Sequence, residues 1–233
     1  KAHTILPVDN LGFVNQAQLK KEIKKNAFLS VIHGNNEIGT VNDLETIGNI
    51  ARKNGAFFHS DACQSFLKKD IDVQKMNIDL LTLNSHKIHG PKGVGALFIR
   101  KGIKPTPQFR GGLQEHGRRA GTENVPGIIG FAKAAKLWKS DDNENMRNLR
   151  STLAISLLKI KDSKFNGSKE QRLCNNISIS FKNIESESLI RHLDSQGIMA
   201  STGSACTSNR IEPSHVLNAI GLPSEWANGT IRL

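Results

Sequence analysis

The sequence predicts an α/β protein, with a mostly parallel sheet covered by helices and followed by a smaller α+β unit. Short apolar runs that end in polar clusters indicate buried strands. Amphipathic stretches between these runs indicate helices, and strands that alternate with helices are typical of parallel sheets. The 233 residues suit one large domain or two modest ones.

The first part of the chain contains four predicted strands. They are "FLSVI" (28–32), "AFFHS" (56–60), "IDLLTLN" (78–84) and "VGALFIR" (94–100). Between the first two, Asp43 is a suitable N-cap for a helix with an apolar face, and Gly55 is a natural stop. Ligands of α/β sheets bind beyond the carboxyl ends of the strands. The polar clusters 33–37, 59–64 and 84–87 follow three of these strands, so we predict the functional site there.

A change of composition marks a domain boundary near residue 140. The alanine-rich stretch 128–138 predicts a helix, and the polar segment "KSDDNENMRN" follows it. Residues 1–140 are therefore predicted to form part of a large α/β domain, and residues 141–233 a small α+β domain.

The smaller unit is predicted to begin with a long helix, which has Leu149, Leu153 and Leu157 roughly along one face. The elements predicted after it are a strand "NNISISF", a helix "SESLIRHLDSQG", a strand "IMAS", a short helix "EPSHVLNAIG" and a final strand "GTIRL". The chain begins without Met and stops inside a predicted strand, so we expect a fragment of a longer protein.

Composition excludes several classes of protein. Hydrophobic residues make up 37% of the chain and charged residues 23%, which indicates a soluble globular protein. No apolar run reaches the length of a membrane span. The net charge of +11 allows a nucleic-acid partner, but the basic residues are dispersed and aromatics are only 5%. We therefore do not expect direct nucleic-acid binding.

Lys87 and Asp61 are the residues best placed for chemistry. Lys87 follows an apolar strand and precedes a rigid Gly90-Pro91 turn. A lysine that forms a Schiff base must be partly desolvated, and we expect this of Lys87. Asp61 follows the neighbouring strand, where a carboxylate can pair with a pyridinium nitrogen. His86 lies three residues from a second histidine, but no nearby Cys or Glu completes a metal site, so no metal is predicted.

Cys206 lies in an unusual setting, the small and polar stretch "STGSACTS". A cysteine most often acts as a buried small hydrophobe, and that alternative stays open. The flanking residues suit a loop that carries a reactive thiol. Cys63 and Cys174 lie beside predicted strands and are predicted to be structural. Three widely spaced cysteines argue against a disulfide framework and favour a reducing cytoplasm.

Several segments occur in the order seen in cysteine desulfurases of the NifS/IscS type. These segments are "NNEIG", "HSDACQS", "SHKIHGPKGVGALF", "GGLQEHGRRAGTENVPGIIG", "STGSACTS" and "GTIRL". The chain resembles this group from "TILPVDNLGFV" to its last residue. The group belongs to the class V aminotransferase-like enzymes of fold type I, which use pyridoxal 5'-phosphate (PLP). The resemblance therefore implies fold type I and PLP as the cofactor.

The resemblance also implies roles for individual residues. The implied catalytic residues are Cys206 as nucleophile, Lys87 as acid and base, and His59 in the cofactor pocket. The implied cofactor-binding residues are Lys87 (PLP aldehyde), Asp61 (pyridinium nitrogen), Gln64 (phenolic oxygen), Asn36 (cofactor oxygen), His86 (pocket and phosphate), Asn84 (phosphate, where the family usually has serine) and Thr122 (phosphate of the neighbouring subunit). The implied substrate-binding residues are Asn36 and Arg232, which hold the substrate carboxylate.

The implied reaction removes sulfur from L-cysteine. It would give L-alanine and a persulfide on Cys206, in a cytoplasmic homodimer that passes the sulfur to an acceptor such as an iron–sulfur scaffold or to tRNA thiolation. One alternative is another PLP-dependent lyase or aminotransferase of class V. Another is an inactive fragment that binds RNA or a partner protein. The Cys206→Ser variant separates the first two, because a desulfurase should lose sulfur transfer and keep PLP.

Overall fold

A computed structural model describes residues 3–203 and 214–233, and Cys206 lies outside the described residues. The α-helices are α1 (Gln16–Glu22), α2 (Leu44–Lys53), α3 (Val125–Leu137), α4 (Ser140–Leu157), α5 (Ser186–Ser195), α6 (His215–Ala219) and α7 (Ser224–Ala227). The strands are β1 (Phe28–Ile32), β2 (Phe57–Asp61), β3 (Leu80–Asn84), β4 (Gly95–Ile99), β5 (Ser163–Phe165), β6 (Ser178–Phe181) and β7 (Thr230–Arg232). None of the helices in these two ranges has both the length and the apolarity needed to cross a membrane.

The larger sheet has the strand order β1-β2-β3-β4. Strands β1, β2 and β3 run parallel, and β4 pairs antiparallel with β3. The predicted α/β class with a mostly parallel sheet is therefore confirmed, with one antiparallel edge strand. Since β1, β2 and β3 run in the same direction, their carboxyl ends meet at one edge of the sheet.

One face of this sheet is buried by helices. Val31 and Phe58 point towards α2 and pack in a core with Leu44 and Ile47. The predicted start of α2 is confirmed, because the Thr46 N–H donates to Asp43 Oδ1 over 3.0 Å. Such a cap stabilises a helix by roughly 1 kcal/mol.

The opposite face of the sheet is more open. The side chain of Phe28 is 62% exposed and that of Phe57 is 40% exposed. Side chains of a strand alternate between the two faces, so Phe28 and Phe57 lie on the face that also carries His59 and Asp61. The polar residues of interest thus lie on the less covered side.

The smaller sheet is antiparallel, with the order β5-β6-β7. Ile177, Ile179 and Ile231 form its buried core, against which Leu157 of α4 and Leu189 of α5 pack. Helix α4 begins at Ser140, next to the boundary predicted from composition. That domain boundary remains a prediction.

The turn after β1 packs against the C-terminal part of the chain. Ile38 is 1% exposed and lies in a cluster with Leu217 and Ile220. Asn176 Nδ2 donates to the Glu37 carbonyl over 3.2 Å. These contacts join the carboxyl end of β1 to residues that follow it by more than a hundred positions in the sequence.

Two details of the predicted elements were wrong. The stretch "IMAS" is not a strand, because Ile198 and Met199 are exposed and Ser201 forms just an isolated bridge with Arg232. The helix predicted from residue 128 begins at Val125, because Asn124 Oδ1 accepts a hydrogen bond from the Gly127 N–H and caps it three residues earlier.

Candidate active site at the carboxyl edge of the sheet

The parallel strands bring the predicted polar residues to one edge. Asp61 is the last residue of β2, and Asn84 is the last residue of β3. Asp61 is aligned with Thr82 in the β2–β3 register. The connections that follow these strands carry Gln64 and Lys87, so four of the predicted cofactor-binding residues belong to two neighbouring strand ends.

Cys63 lies beside Asp61, where the ends of β2 and β3 meet. The Cys63 N–H donates to Asp61 Oδ1 over 2.8 Å. Burial raises the pKa of the Cys63 thiol to about 12, and Asp61 adds to this rise, whereas Asn84 and Lys87 lower the pKa. The thiol is therefore protonated at neutral pH and is not a nucleophile.

Lys87 lies in a tight turn that directly follows β3. A short 3-10 helix spans His86–Ile88, and the Lys87 N–H donates to Asn84 Oδ1 over 3.3 Å. The N–H groups of Ile88 and Gly90 both donate to the Ser85 carbonyl over 3.1 Å. These bonds fix the backbone from which the Lys87 amine projects.

The expected desolvation of Lys87 is not observed. The side chains of Lys87 and His86 are exposed. The physical reason is their position on the turn beyond the strand end, where the described residues leave them uncovered. The prediction that Lys87 is partly desolvated was therefore wrong.

The His59 imidazole bridges the three parallel strands. His59 Nδ1 lies 2.8 Å from Ser30 Oγ on β1, and Nε2 lies 2.8 Å from Thr82 Oγ1 on β3. The Phe28 ring stacks on the imidazole with a centroid distance of 6.0 Å. Burial lowers the pKa of His59, while Asp61 opposes this effect. The ring is therefore fixed at both nitrogen atoms, two residues before Asp61 on the same face.

Arg232 and Asn36 meet although 196 positions separate them. Arg232 Nη1 donates to the Asn36 carbonyl over 2.9 Å. The Arg232 backbone also exchanges two hydrogen bonds with Ser201, of 3.0 and 2.7 Å. The structure thus brings together the two residues predicted to bind the substrate carboxylate.

Two buried charged residues of this region were missed by sequence reasoning. Glu37 is 2% exposed, and its carboxylate accepts a hydrogen bond from Ser214 Oγ. Lys68 is 5% exposed and donates to backbone carbonyls of the site. Glu37 lies within the quoted "NNEIG" segment, which was a usable signal. Lys68 is one of 32 basic residues, and nothing in its sequence context marks it.

Thr122 is not joined to this cluster. It is exposed, in the segment that precedes α3, and the hydrogen bonds of residues 3–203 and 214–233 do not connect it with Asp61 or Lys87. A cleft of about 460 Å³ is lined in part by Ile88 and His89, which follow Lys87. The residues that line this cleft are Ile88, His89, Ala134, Leu137, Trp138, Asp142, Asn145, Met146 and Leu149. None of the predicted site residues lines it.

Comparison with known proteins agrees with this arrangement. The chain is 50% identical over 234 residues to "Cysteine desulfurase IscS" from Methanosarcina thermophila, a match that covers 99% of the chain and 58% of that protein. Among solved structures, a "NifS-like protein" matches with a TM-score of 0.89 and 36% identity, over 99% of the chain and 61% of that protein. "SspA in complex with cysteine" matches with a TM-score of 0.84 and 36% identity, over 98% of the chain and 65% of that protein.

These structural matches confirm the fold type I architecture expected of a PLP enzyme. The chain spans less than two thirds of the length of each of these three proteins. The family model for aminotransferase class V matches residues 2–233. Because this match extends over nearly the whole sequence, the chain belongs to the aminotransferase class-V family.

Proposed function

We propose that the protein is a PLP-dependent cysteine desulfurase, which converts L-cysteine to L-alanine and keeps the sulfur as a persulfide. The observation that carries this proposal is that Asp61 ends β2 and that the Lys87 turn directly follows β3, the parallel neighbour of β2 in the sheet. The similarity to a protein named cysteine desulfurase and to one solved in complex with cysteine supports the choice of substrate.

The donor set at the strand ends fits PLP. The cofactor has an aldehyde, a pyridine nitrogen, a phenolic oxygen and a phosphate. An amine (Lys87), a carboxylate (Asp61) and two amides (Gln64 and Asn84) lie at the same edge of the sheet. Each group of the cofactor therefore has a partner of suitable chemistry among these residues.

When bound, PLP would supply an electron sink that withdraws electrons from the substrate Cα. Lys87 would hold the cofactor through its amine and then move a proton as acid and base. Asp61 would keep the pyridine nitrogen protonated, because its carboxylate would accept a hydrogen bond from the N–H. Gln64 would donate to the phenolic oxygen, and His86 and Asn84 would bind the phosphate.

Arg232 and Asn36 would orient the substrate. A guanidinium can hold a carboxylate through two parallel hydrogen bonds, and Arg232 keeps its fork in place by one bond to the Asn36 carbonyl. The Cys206 thiolate would attack the sulfur of the substrate. The new S–S bond forms as the substrate C–S bond breaks, the electron pair of that bond stays on the substrate carbon, and protonation of this carbon completes L-alanine.

His59 was predicted among the catalytic residues. Its bonds to Ser30 and Thr82 support a positioning role beside Asp61, because both ring nitrogens already have partners. We propose that the imidazole fixes the β2 strand end from which the Asp61 carboxylate projects.

The proposal includes a homodimer and an acceptor protein for the sulfur, such as an iron–sulfur scaffold. The exposure of Thr122 supports the homodimer, since a residue that reaches the phosphate in a neighbouring subunit must lie at the surface. Cys63 and Cys174 are both free. Free thiols support a reducing cytoplasm as the compartment.

The test uses the full-length protein in which this sequence occurs, with PLP and L-cysteine, because the 233 residues span 58% of the similar desulfurase. We expect L-alanine in the wild type, together with a persulfide that peptide mapping locates on Cys206. The Cys206→Ser variant should keep PLP on Lys87 and form neither product. Cys63→Ser is the matched control. The thiol of Cys63 is protonated in the wild type, so this variant should still form both products.

Other outcomes would replace the proposal. If Cys206→Ser still turned over L-cysteine, releasing its sulfur as sulfide, a class V lyase would be favoured. Keto-acid formation from L-cysteine in this variant would favour an aminotransferase. Salt-dependent RNA binding with no PLP uptake would favour a non-enzymatic binding module.

A further inference from the structure

Lys68 is a buried charged residue, and its ammonium needs interactions that compensate for the loss of water. It is 5% exposed, and within residues 3–203 and 214–233 it forms no salt bridge. Burial lowers the pKa of its ammonium, Cys174 partly opposes this effect, and Lys87 adds to it. Burying an ammonium is unfavourable unless hydrogen bonds compensate for the lost water.

The compensating bonds of Lys68 go to the backbone of the candidate site. Lys68 Nζ donates to the Gln64 carbonyl over 3.2 Å and to the Lys87 carbonyl over 3.0 Å. These carbonyls belong to two separate segments, one after β2 and the other after β3. One ammonium therefore ties together the segment that carries Gln64 and the turn that carries Lys87.

An aromatic ring completes the surroundings of Lys68. The ammonium lies 5.5 Å from the centroid of the Trp138 ring, within the range of a cation–π interaction. The same ring stacks on His89 with a centroid distance of 6.0 Å. Since His89 ends the Lys87 turn, Trp138 supports that turn and the ammonium that holds it.

We propose that Lys68 is a positioning residue for Lys87. Its buried ammonium fixes the carbonyl of Lys87 relative to Gln64, and so fixes the direction in which the exposed Lys87 amine projects. This role rests on the proposed function for its chemical consequence, because an amine that must meet a bound aldehyde gains from a rigid backbone. The geometric part of the proposal stands on the two hydrogen bonds alone.

The first experiment needs no cofactor. Amide hydrogen exchange is measured in the wild type, in Lys68→Met and in the neighbouring control Lys69→Met. We expect the amides of Ile88 and Gly90 to exchange about tenfold faster in Lys68→Met, since two charge-assisted bonds are lost. Lys69→Met should match the wild type, and the amides of β6 should keep their rate in both variants.

Equal exchange of the Lys87 turn in Lys68→Met and in the wild type would overturn the proposal, as would a uniform acceleration that includes β6. If Lys68→Met does not fold, Lys68→Gln replaces it and the same local acceleration is expected. Lys68→Arg keeps a charged donor and should restore most of the protection. An arginine variant as unprotected as the methionine variant would also count against the proposal.

The second experiment separates this inference from the proposed function. Each variant is incubated with PLP and reduced with borohydride, and the modified lysine is located by peptide mapping. The wild type should carry the label on Lys87, and Lys68→Met should carry about tenfold less at that position. If the wild type carries no label on Lys87, the proposed function fails, while the exchange measurement still decides the role of Lys68. Undiminished labelling of Lys68→Met would refute the positioning role.

Discussion

His33 should make the fold sensitive to acid. It is 4% exposed and directly follows β1, and its N–H donates to the Asp61 carbonyl over 2.8 Å. Its Nδ1 atom is buried without a hydrogen-bond partner in the described part of the chain. Burial and, less strongly, the charge of Lys69 lower the pKa of His33 from 6.5 to about 4. A charged imidazole is therefore disfavoured at this position.

The direction of the pH effect on stability follows from the pKa of His33 in the unfolded chain and in the folded protein. The unfolded chain takes up a proton on His33 below about pH 6.5, whereas the folded protein does so only near about pH 4. His33 therefore does not affect stability above about pH 6.5, and stability is lost as the pH falls from about 6.5 to about 4. One pKa unit corresponds to about 1.4 kcal/mol, so the loss reaches about 2 kcal/mol at about pH 5 and about 3 kcal/mol at about pH 4.

The assay compares urea unfolding at about pH 7 and about pH 5 for the wild type and His33→Gln. The wild type should lose about 2 kcal/mol more free energy of unfolding over this interval than the variant. Comparing differences removes any effect of the substitution that is independent of pH. His3→Gln changes an exposed histidine and is the control, which should behave as the wild type. An identical loss in the wild type and His33→Gln would refute this reasoning.

Three further predictions follow from the packing, the caps and the candidate site. Phe58→Ala should lower the free energy of unfolding by about 3–5 kcal/mol in urea titrations, because the ring is fully buried, whereas Phe57→Ala, on the exposed face, should cost much less. Asp43→Ala should cost roughly 1 kcal/mol by removing the cap of α2, and Asp43→Asn, which retains the acceptor, should cost less. Arg232→Lys should raise the KM for L-cysteine about tenfold in alanine-release assays, because an ammonium cannot form the bidentate pair; an unchanged KM would exclude Arg232 from the substrate site.

The local pattern of the sequence was sufficient to predict the larger sheet. Strand β1 has the predicted bounds, and Asp43 and Gly55 delimit α2 as expected. Apolar periodicity and capping are properties of a few neighbouring residues, so they are visible without tertiary structure. The stretch "IMAS" has the same local appearance, but just its last residue, Ser201, pairs with a strand, through the bridge to Arg232 of β7, and propensity alone does not extend this pairing.

The contacts that assemble the site were beyond prediction from local pattern. The bond between Arg232 and Asn36 joins residues that are 196 positions apart, and the bonds of Lys68 reach backbone carbonyls, which every residue possesses. No residue type at a fixed spacing marks such contacts. The exposure of Lys87 is also a tertiary property, since it depends on what covers the end of β3 and not on the strand itself.

The turn after β1 connects the proposed substrate site with the flanks of residues 204–213. The Asn36 carbonyl receives the Arg232 guanidinium, and Arg232 is bonded through its backbone to Ser201. The adjacent Glu37 carboxylate binds Ser214 Oγ. Glu37 is 2% exposed, and a buried carboxylate that loses its hydrogen bond is destabilising, so these bonds hold Ser214 directly, and Ser201 through Arg232, to the same short turn. Residues on both sides of the Cys206 segment are thereby fixed to the turn that also orients the arginine proposed to hold the substrate carboxylate.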